Sequence, residues 1–259
     1  MGAPYLHDPL SKKEIQELLC YHRFGVVIDG APGKATKRAM SEFMEAAGVP
    51  NWQWAYPLPK AAQDLLVEPF RRLTHLASDT SIGVYATFAD ALVGFAEDFL
   101  DADFHEIGGD NKGPCVRMVS DGSEGGPWCA NYDTFIVGLA HDYMTRSGKP
   151  PRFDKARYRS GYCPTLERVA REDGRLITKE AALLNPLLVK KGMLFLVWGR
   201  DAAGNLRSFH TGIVRDDAWP DGTYSTIEGN TNDDGSREGF EVARRVRAVD
   251  NCNFVDLLK

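Results

Sequence analysis

Apolar residues recur every three or four positions through most of the first hundred residues, and then give way to short runs separated by turns. Ser11-Lys12-Lys13-Glu14 is a capping-box pattern, in which the serine accepts from the backbone at Glu14 while the glutamate reaches back. Ile15, Leu18, Leu19 and His22 follow at helical spacing. In VVIDGAPGKATKRAMSEFMEAAG, Gly30 and Gly33 allow a turn, Ala35, Ala39, Phe43 and Ala47 share one helix face, and Gly48 and Pro50 end that helix. Two further segments, AAQDLLVEPFRRLTHLA (61–77) and FADALVGFAEDFL (88–100), carry the same 3.6 period. Between them and the first pair, NWQWAYPLPK (51–60) is aromatic and Pro-rich and reads as an ordered linker. Its Trp52, Trp54 and Tyr56 either pack on a neighbour or offer faces to sugar rings.

From about residue 105 the period changes. In GGPWCANYDTFIVGLA (125–140), Gly125, Gly126 and Pro127 are costly inside a helix, whereas Tyr132, Phe135, Ile136, Leu139 and Tyr143 recur at helical intervals. A helix therefore begins near Cys129, which falls in its first turn. MLFLVW (193–198) is a continuous apolar run that predicts a buried central strand, and SFHTGIV and TYSTIEGN predict two more, joined by the turn formers of RDDAWPDG. Helices followed by antiparallel strands predict an α+β fold.

The 259 residues carry a formal charge of −5 with no Lys/Arg block, which argues against nucleic acid as a partner. The start, MGAPYLHDPLSKKE, has no apolar h-region, and no stretch approaches the roughly 20 apolar residues of a membrane span. The expectation is a chain that is cytoplasmic when synthesised and has no stable membrane association. The 5 cysteines are scattered and lack C-x-x-C spacing, against both a disulfide framework and a structural zinc site. Cys20, Cys115 and Cys252 read as buried or incidental thiols; Cys163 also stands at a helix start, before PTLERVARE, but has no histidine in its motif. Asp121, Ser123 and Glu124 do not have the spacing of a twelve-residue calcium loop, so no metal and no cofactor are expected. Asp110 and Asn111 either line a substrate groove or cap a loop.

A cysteine in the first turn of a helix faces free backbone N–H groups and the positive end of the helix dipole, which favour the thiolate and can face a developing oxyanion. It still needs a base. His141 lies on the same helix but about 18 Å further along its axis, while His7, His22 and His75 fall in the N-terminal helical part. His105 precedes a Gly-rich turn. His210 lies inside a strand, and a hairpin centred near Trp219 has an index sum of 438 that pairs it with Glu228. Alternation then puts His210 and Val214 on one face with Tyr224, Glu228 and Asn230. A carboxylate beside the imidazole fixes its tautomer and stabilises the imidazolium.

GPWCANYDTFIV, FHTGIV and TIEGNTN, with the lead-in ADALVGFAEDFLDADFHEIGGDNKGPCVRMV, resemble the motifs of the CHAP-type cysteine amidohydrolases and peptidases that cleave bacterial peptidoglycan. The resemblance covers about residues 90 to 240, with 145 to 190 poorly matched; Asn131-Tyr132-Asp133 depart from the small or aromatic residues more usual there. It implies a papain-like domain over 88–259 with a central antiparallel sheet, catalytic residues Cys129, His210, Glu228 and Asn230, and substrate contacts at Trp128, Asn131, Asn111 and Tyr224. Asp29-Gly30-x-x-Gly33-x-x-Thr36-x-x-Ala39-x-x-x-Phe43 resembles the small three-helix peptidoglycan-binding domains, with Met44 where glutamine is common. That implies an all-α module over 1–50, with 51–87 as linker and helical connection. The implied activity is cleavage of a wall amide, as a muramoyl-alanine amidase or endopeptidase of the endolysin kind, with bacterial peptidoglycan as partner. A protein-directed cysteine peptidase or acyl transferase, or a non-catalytic wall-binding protein, is the alternative.

Overall fold

A computed structural model describes residues 5–76, 85–200, 204–232 and 239–259. Among them are eight α-helices and a six-stranded antiparallel sheet, so the class is α+β as the patterning predicts. The chain divides into two compact units, one of Met1–His75 with His105–Gly125 and one of Leu76–Phe104 with Gly126–Lys259.

The first unit holds α1 (Lys12–Tyr21), α2 (Lys34–Ala46), α3 (Lys60–His75) and the short α5 (Pro114–Val119). The capping box at Ser11 is formed in full. The Asp-Gly-x-x-Gly-x-x-Thr pattern has a structural explanation: buried Gln16 of α1 accepts from the N–H groups of Asp29 and Gly30 and donates to Asp29 Oδ1 and Thr36 Oγ1. Gly30, at φ 73°, occupies the left-handed region that glycine tolerates best. On α2 the buried stripe is Thr36, Ala39, Met40, Phe43 and Met44, whereas Ala35 and Ala47 face solvent. The larger side chains claim the core, rotating the face from the one that alanine spacing predicts.

The expected boundary at residue 50 is too early. Gln63 of α3 accepts from the Leu10 N–H and donates to the Leu58 carbonyl, and Leu66, Phe70 and Leu73 are buried, so α3 belongs to the helical unit. Trp52 and Trp54 are half-buried and meet edge to face, while Tyr56 is exposed beneath the Lys12 ammonium. Residues 77–84 of the expected connection, and residues 1–4, lie outside the described residues.

The second unit contains α4 (Phe88–Asp101), α6 (Cys129–Arg146), α7 (Cys163–Glu172), α8 (Lys179–Leu184) and strands β1 (Leu176–Ile177), β2 (Leu194–Arg200), β3 (Leu206–Val214), β4 (Thr223–Thr231), β5 (Glu241–Ala248) and β6 (Cys252–Val255). The sheet order β1-β6-β2-β3-β4-β5 puts β2 and β3 at its centre, and Leu194, Phe195 and Leu196 are fully buried as the apolar run predicts. Phe195, Tyr224, Val214, Met193 and Phe254 form one continuous core. The β3–β4 hairpin pairs Ile213 with Ile227 and Val214 with Thr226, an index sum of 440 rather than 438. A slide of two residues preserves side-chain parity, which is why the expected faces survive the wrong register. No described helix is long and apolar enough to cross a membrane.

Candidate active site

Pro127 and Trp128 lead directly into α6, and Cys129 is its first residue. The Ala130 N–H is bonded to the Cys129 sulfur. Two contacts from the first turns hold this helix on the sheet. Tyr132 is fully buried, and a Cβ at Gly229 of β4 would stand 2.6 Å from its ring, so Gly229 is what permits the close approach. One residue on, Asp133 is buried and accepts from Thr211 Oγ1 of β3 at 2.8 Å. Burial pushes the Asp133 carboxyl well above the ordinary carboxylate range, which favours its neutral form. The departure from the family pattern at these two positions is thus a pair of packing and hydrogen-bond pins.

Thr211 is the neighbour of His210, so the Asp133 pin also fixes where the histidine stands relative to the cysteine. A bulge in the β2–β3 ladder pairs Val197 with His210 but Trp198 with Ser208, leaving Phe209 as the extra residue. Such bulges re-aim side chains. His210 Nε2 lies 2.8 Å from Glu228 Oε2, and the imidazole is also hydrogen-bonded to Cys129. Because Nε2 is taken by the carboxylate, Nδ1 is the nitrogen left for the sulfur.

Glu228 reaches His210 across the shifted register because of Gly212. A Cβ at Gly212 would meet the Phe195 ring at 2.6 Å and Glu228 Cγ at 2.8 Å. The Glu228 carboxylate is completely buried and saturated. Besides His210 it accepts from Thr226 Oγ1 at 2.6 Å and, through both oxygens, from Arg247 Nε and Nη2 at 2.5 Å each. Such a bidentate fork holds a carboxylate in one orientation. Arg247 in turn lies over the Phe195 ring.

The third partner of the cysteine is a second thiol. Cys163, first residue of α7, is hydrogen-bonded to Cys129, so two helices begin at one pair of sulfurs. The hydrogen bond from Cys163, together with the His210 imidazolium, holds the Cys129 thiol well below the ordinary range despite burial. Cys163 moves the opposite way, raised by its bond to Cys129 and by burial, and stays a thiol. Burial alone would lower the His210 pKa, but its bonds to Cys129 and Glu228 override it and push it up to about 9. Burial would likewise raise Glu228, but Arg247 and then His210 bring it down to about 2. The shifts favour a thiolate beside an imidazolium, with the Glu228 carboxylate and the Arg247 guanidinium completing the line.

Of the expected catalytic residues, Cys129, His210 and Glu228 come together. Asn230 does not join them through its side chain: it stands at φ 55° within the irregular stretch between Glu228 and Thr231, and its buried Oδ1 has no protein partner among the described residues. Glu228 is the residue that holds Nε2 of the ring. The substrate-contact expectations need correction. Trp128 is wholly buried against Phe104 and Tyr132, and Tyr224 is wholly buried between Phe195 and Phe254, because large rings on the inner faces complete the core. Asn131 is half-buried under Gly161, where a Cβ would stand 2.5 Å from its Oδ1. Asn111 belongs to the helical unit, at φ 54°; its N–H donates to Glu106 and its carbonyl accepts from Gly125, which is the loop-capping alternative.

Arg247, Cys163 and Gly212 were not anticipated. The glycine stands in the quoted H-T-G-I-V stretch, Cys163 is marked locally only by its place at a helix start, and Arg247 lies on β5, outside the motifs read from the sequence. Among the described residues no group of three or more His, Cys, Asp or Glu is placed to hold a metal. No family model, curated protein or solved structure matches the chain.

Proposed function

We propose that the protein is a cysteine-dependent peptidoglycan hydrolase with a papain-like catalytic unit of the CHAP type, cleaving an amide of the bacterial cell wall. The observation that carries this reading is the hydrogen-bonded line of Cys129 at a helix start, His210 and buried Glu228. The Cys129 thiolate attacks the amide carbonyl carbon, and the oxyanion that forms is met by N–H groups of the first turn of α6. The His210 imidazolium gives its Nδ1 proton to the leaving nitrogen as the C–N bond breaks, leaving a thioester. Water then attacks the thioester while His210 takes its proton, and the acid and the thiolate separate with the imidazolium restored. Glu228 holds the ring in one tautomer throughout. The Asp29–Phe43 motif supports wall-holding as the role of the helical unit; it carries a cleft of about 430 Å³ lined by residues including His7, Lys13, Glu14 and Arg117.

The test is release of soluble muropeptides from purified sacculi. Cys129→Ala is expected to abolish release while the protein still unfolds in one cooperative transition; a variant that clears sacculi at the wild-type rate sinks the mechanism. Mass spectrometry of the new termini separates an amidase from an endopeptidase.

A further inference from the structure

A second site begins beside the two sulfurs. Pro164, Glu167, Arg168 and Arg171 lie at i, i+3, i+4 and i+7 on α7, so they form one wall about 10 Å long that starts next to Cys163. Trp198, Leu206, Arg207 and Ser208 of β2 and β3 form the other wall, and the cavity between has a volume of about 260 Å³. Three arginines face one glutamate there, in a chain whose net charge is −5. The glutamate is already answered: Arg171 Nη2 donates to Glu167 at 3.1 Å. Arg168 donates to Glu172 across an exposed helix turn, and Arg207 donates to the Tyr162 hydroxyl while lying over its ring.

Two buried polar groups on the strand wall point the same way. Ser208 is 1% exposed, and its hydroxyl has no partner among the described residues; neither does the indole N–H of Trp198, which is shielded from water. Buried donors without acceptors are rare in folded proteins. The bulge at Phe209 is what sets them side by side, because it pairs Trp198 with Ser208. Two unsatisfied donors with three guanidinium groups lining the same groove together describe a receptor for an anionic oxygen acceptor.

We propose that this groove is a specificity subsite for a free carboxylate on the wall peptide, engaged as the chain runs along α7 away from Cys129. Ser208 and Trp198 donate to one carboxylate oxygen and the arginines supply the charge. A carboxamide in the same place presents one acceptor, adds an N–H₂ group where donors already stand, and lacks the charge.

The inference rests on the hydrolase reading, and its test keeps the two apart. Full-length protein carrying Cys129→Ala is titrated calorimetrically with a wall tripeptide bearing a free α-carboxylate and with the same tripeptide amidated at that carboxyl. The acid is expected to bind tighter by on the order of tenfold, the scale of one charge-assisted hydrogen bond. Adding Arg168→Gln, Arg171→Gln and Arg207→Gln is expected to remove that preference and leave binding of the amide unchanged. Ser208→Ala deletes an unpartnered hydroxyl, so the melting temperature should hold or rise while acid binding weakens, an outcome that a purely structural role does not produce. Equal binding of acid and amide, binding of neither, or equal loss of both in the arginine variant overturns the subsite. If the acid preference holds while wild-type protein releases nothing from sacculi, the hydrolase reading fails and the subsite stands.

Discussion

Replacing Glu228 by glutamine keeps the shape of the side chain and removes only its charge, which makes it the sharpest probe of the line from Cys129 to Arg247. The wild-type carboxyl is completely buried, and its pKa is brought from an ordinary 4.5 to about 2 by Arg247 and His210. At about 1.4 kcal/mol per pH unit, that gap corresponds to about 3 kcal/mol of folding stability. Because the folded-state value lies below the unfolded one, this stability is fully present above about pH 4.5 and lost as pH falls through about 2. His210 runs the other way: its pKa is raised to about 9, so its contribution is complete below its ordinary 6.5 and lost as pH rises through about 9. The stability difference between wild type and Glu228→Gln, from urea unfolding across a pH series, should therefore form a dome. It should stand near 3 kcal/mol between about pH 5 and 7, fall to less than half by about pH 3, and narrow again above about pH 9. A difference that is flat with pH, or absent at neutral pH, refutes the charged line, since loss of packing or of a neutral hydrogen bond has no such shape.

The other thiol and the enabling glycine give independent checks. Cys163→Ala removes the hydrogen bond that contributes most to lowering the Cys129 thiol, so the acid limb of Cys129 alkylation by iodoacetamide should move to higher pH; an unmoved limb shows that the second sulfur is a bystander. Gly212→Ala drives a methyl group into the Phe195 ring and Glu228 Cγ, and should cost about 1–3 kcal/mol in urea unfolding. The same variant should let the His210 imidazole, followed by NMR, titrate below about 9 because Glu228 is displaced; a wild-type titration with lowered stability separates packing from positioning.

What could be read from the chain and what could not follow from how far apart in sequence the partners lie. Cys129 at a helix start was legible because Gly125 to Pro127 forbid an earlier helix and the apolar period sets in just after them. The His210–Glu228 pair was legible because both belong to one hairpin, and an error of two in its register leaves side-chain parity intact. Periodicity marks that a ring is amphipathic or apolar but not how deep it sits, so it does not show that Trp128 and Tyr224 complete the core rather than line a cleft. The helical motif at Asp29 was legible as a pattern, but its physical cause, the buried amide of Gln16, lies in the preceding helix.

Cys163 and Arg247 belong to a third class, in which the chemistry is set by elements that meet only in the folded chain. Cys163 opens a helix 34 residues beyond Cys129, in the segment where the family likeness is weakest, and its local sequence differs little from that of any Pro-led helix start. Its effect is nevertheless as direct as that of the histidine, since both donate to the same sulfur. Arg247 sits on β5, beyond the hairpin that supplies His210 and Glu228, and without its bidentate grip burial would favour a neutral Glu228. A neutral acid there would hold the ring less firmly and leave the imidazolium without its counter-charge. The line of residues read from sequence is therefore chemically incomplete: the Cys129 thiol is set by two donors rather than one, and the Glu228 carboxylate is an anion only because an arginine two strands from the histidine keeps it so.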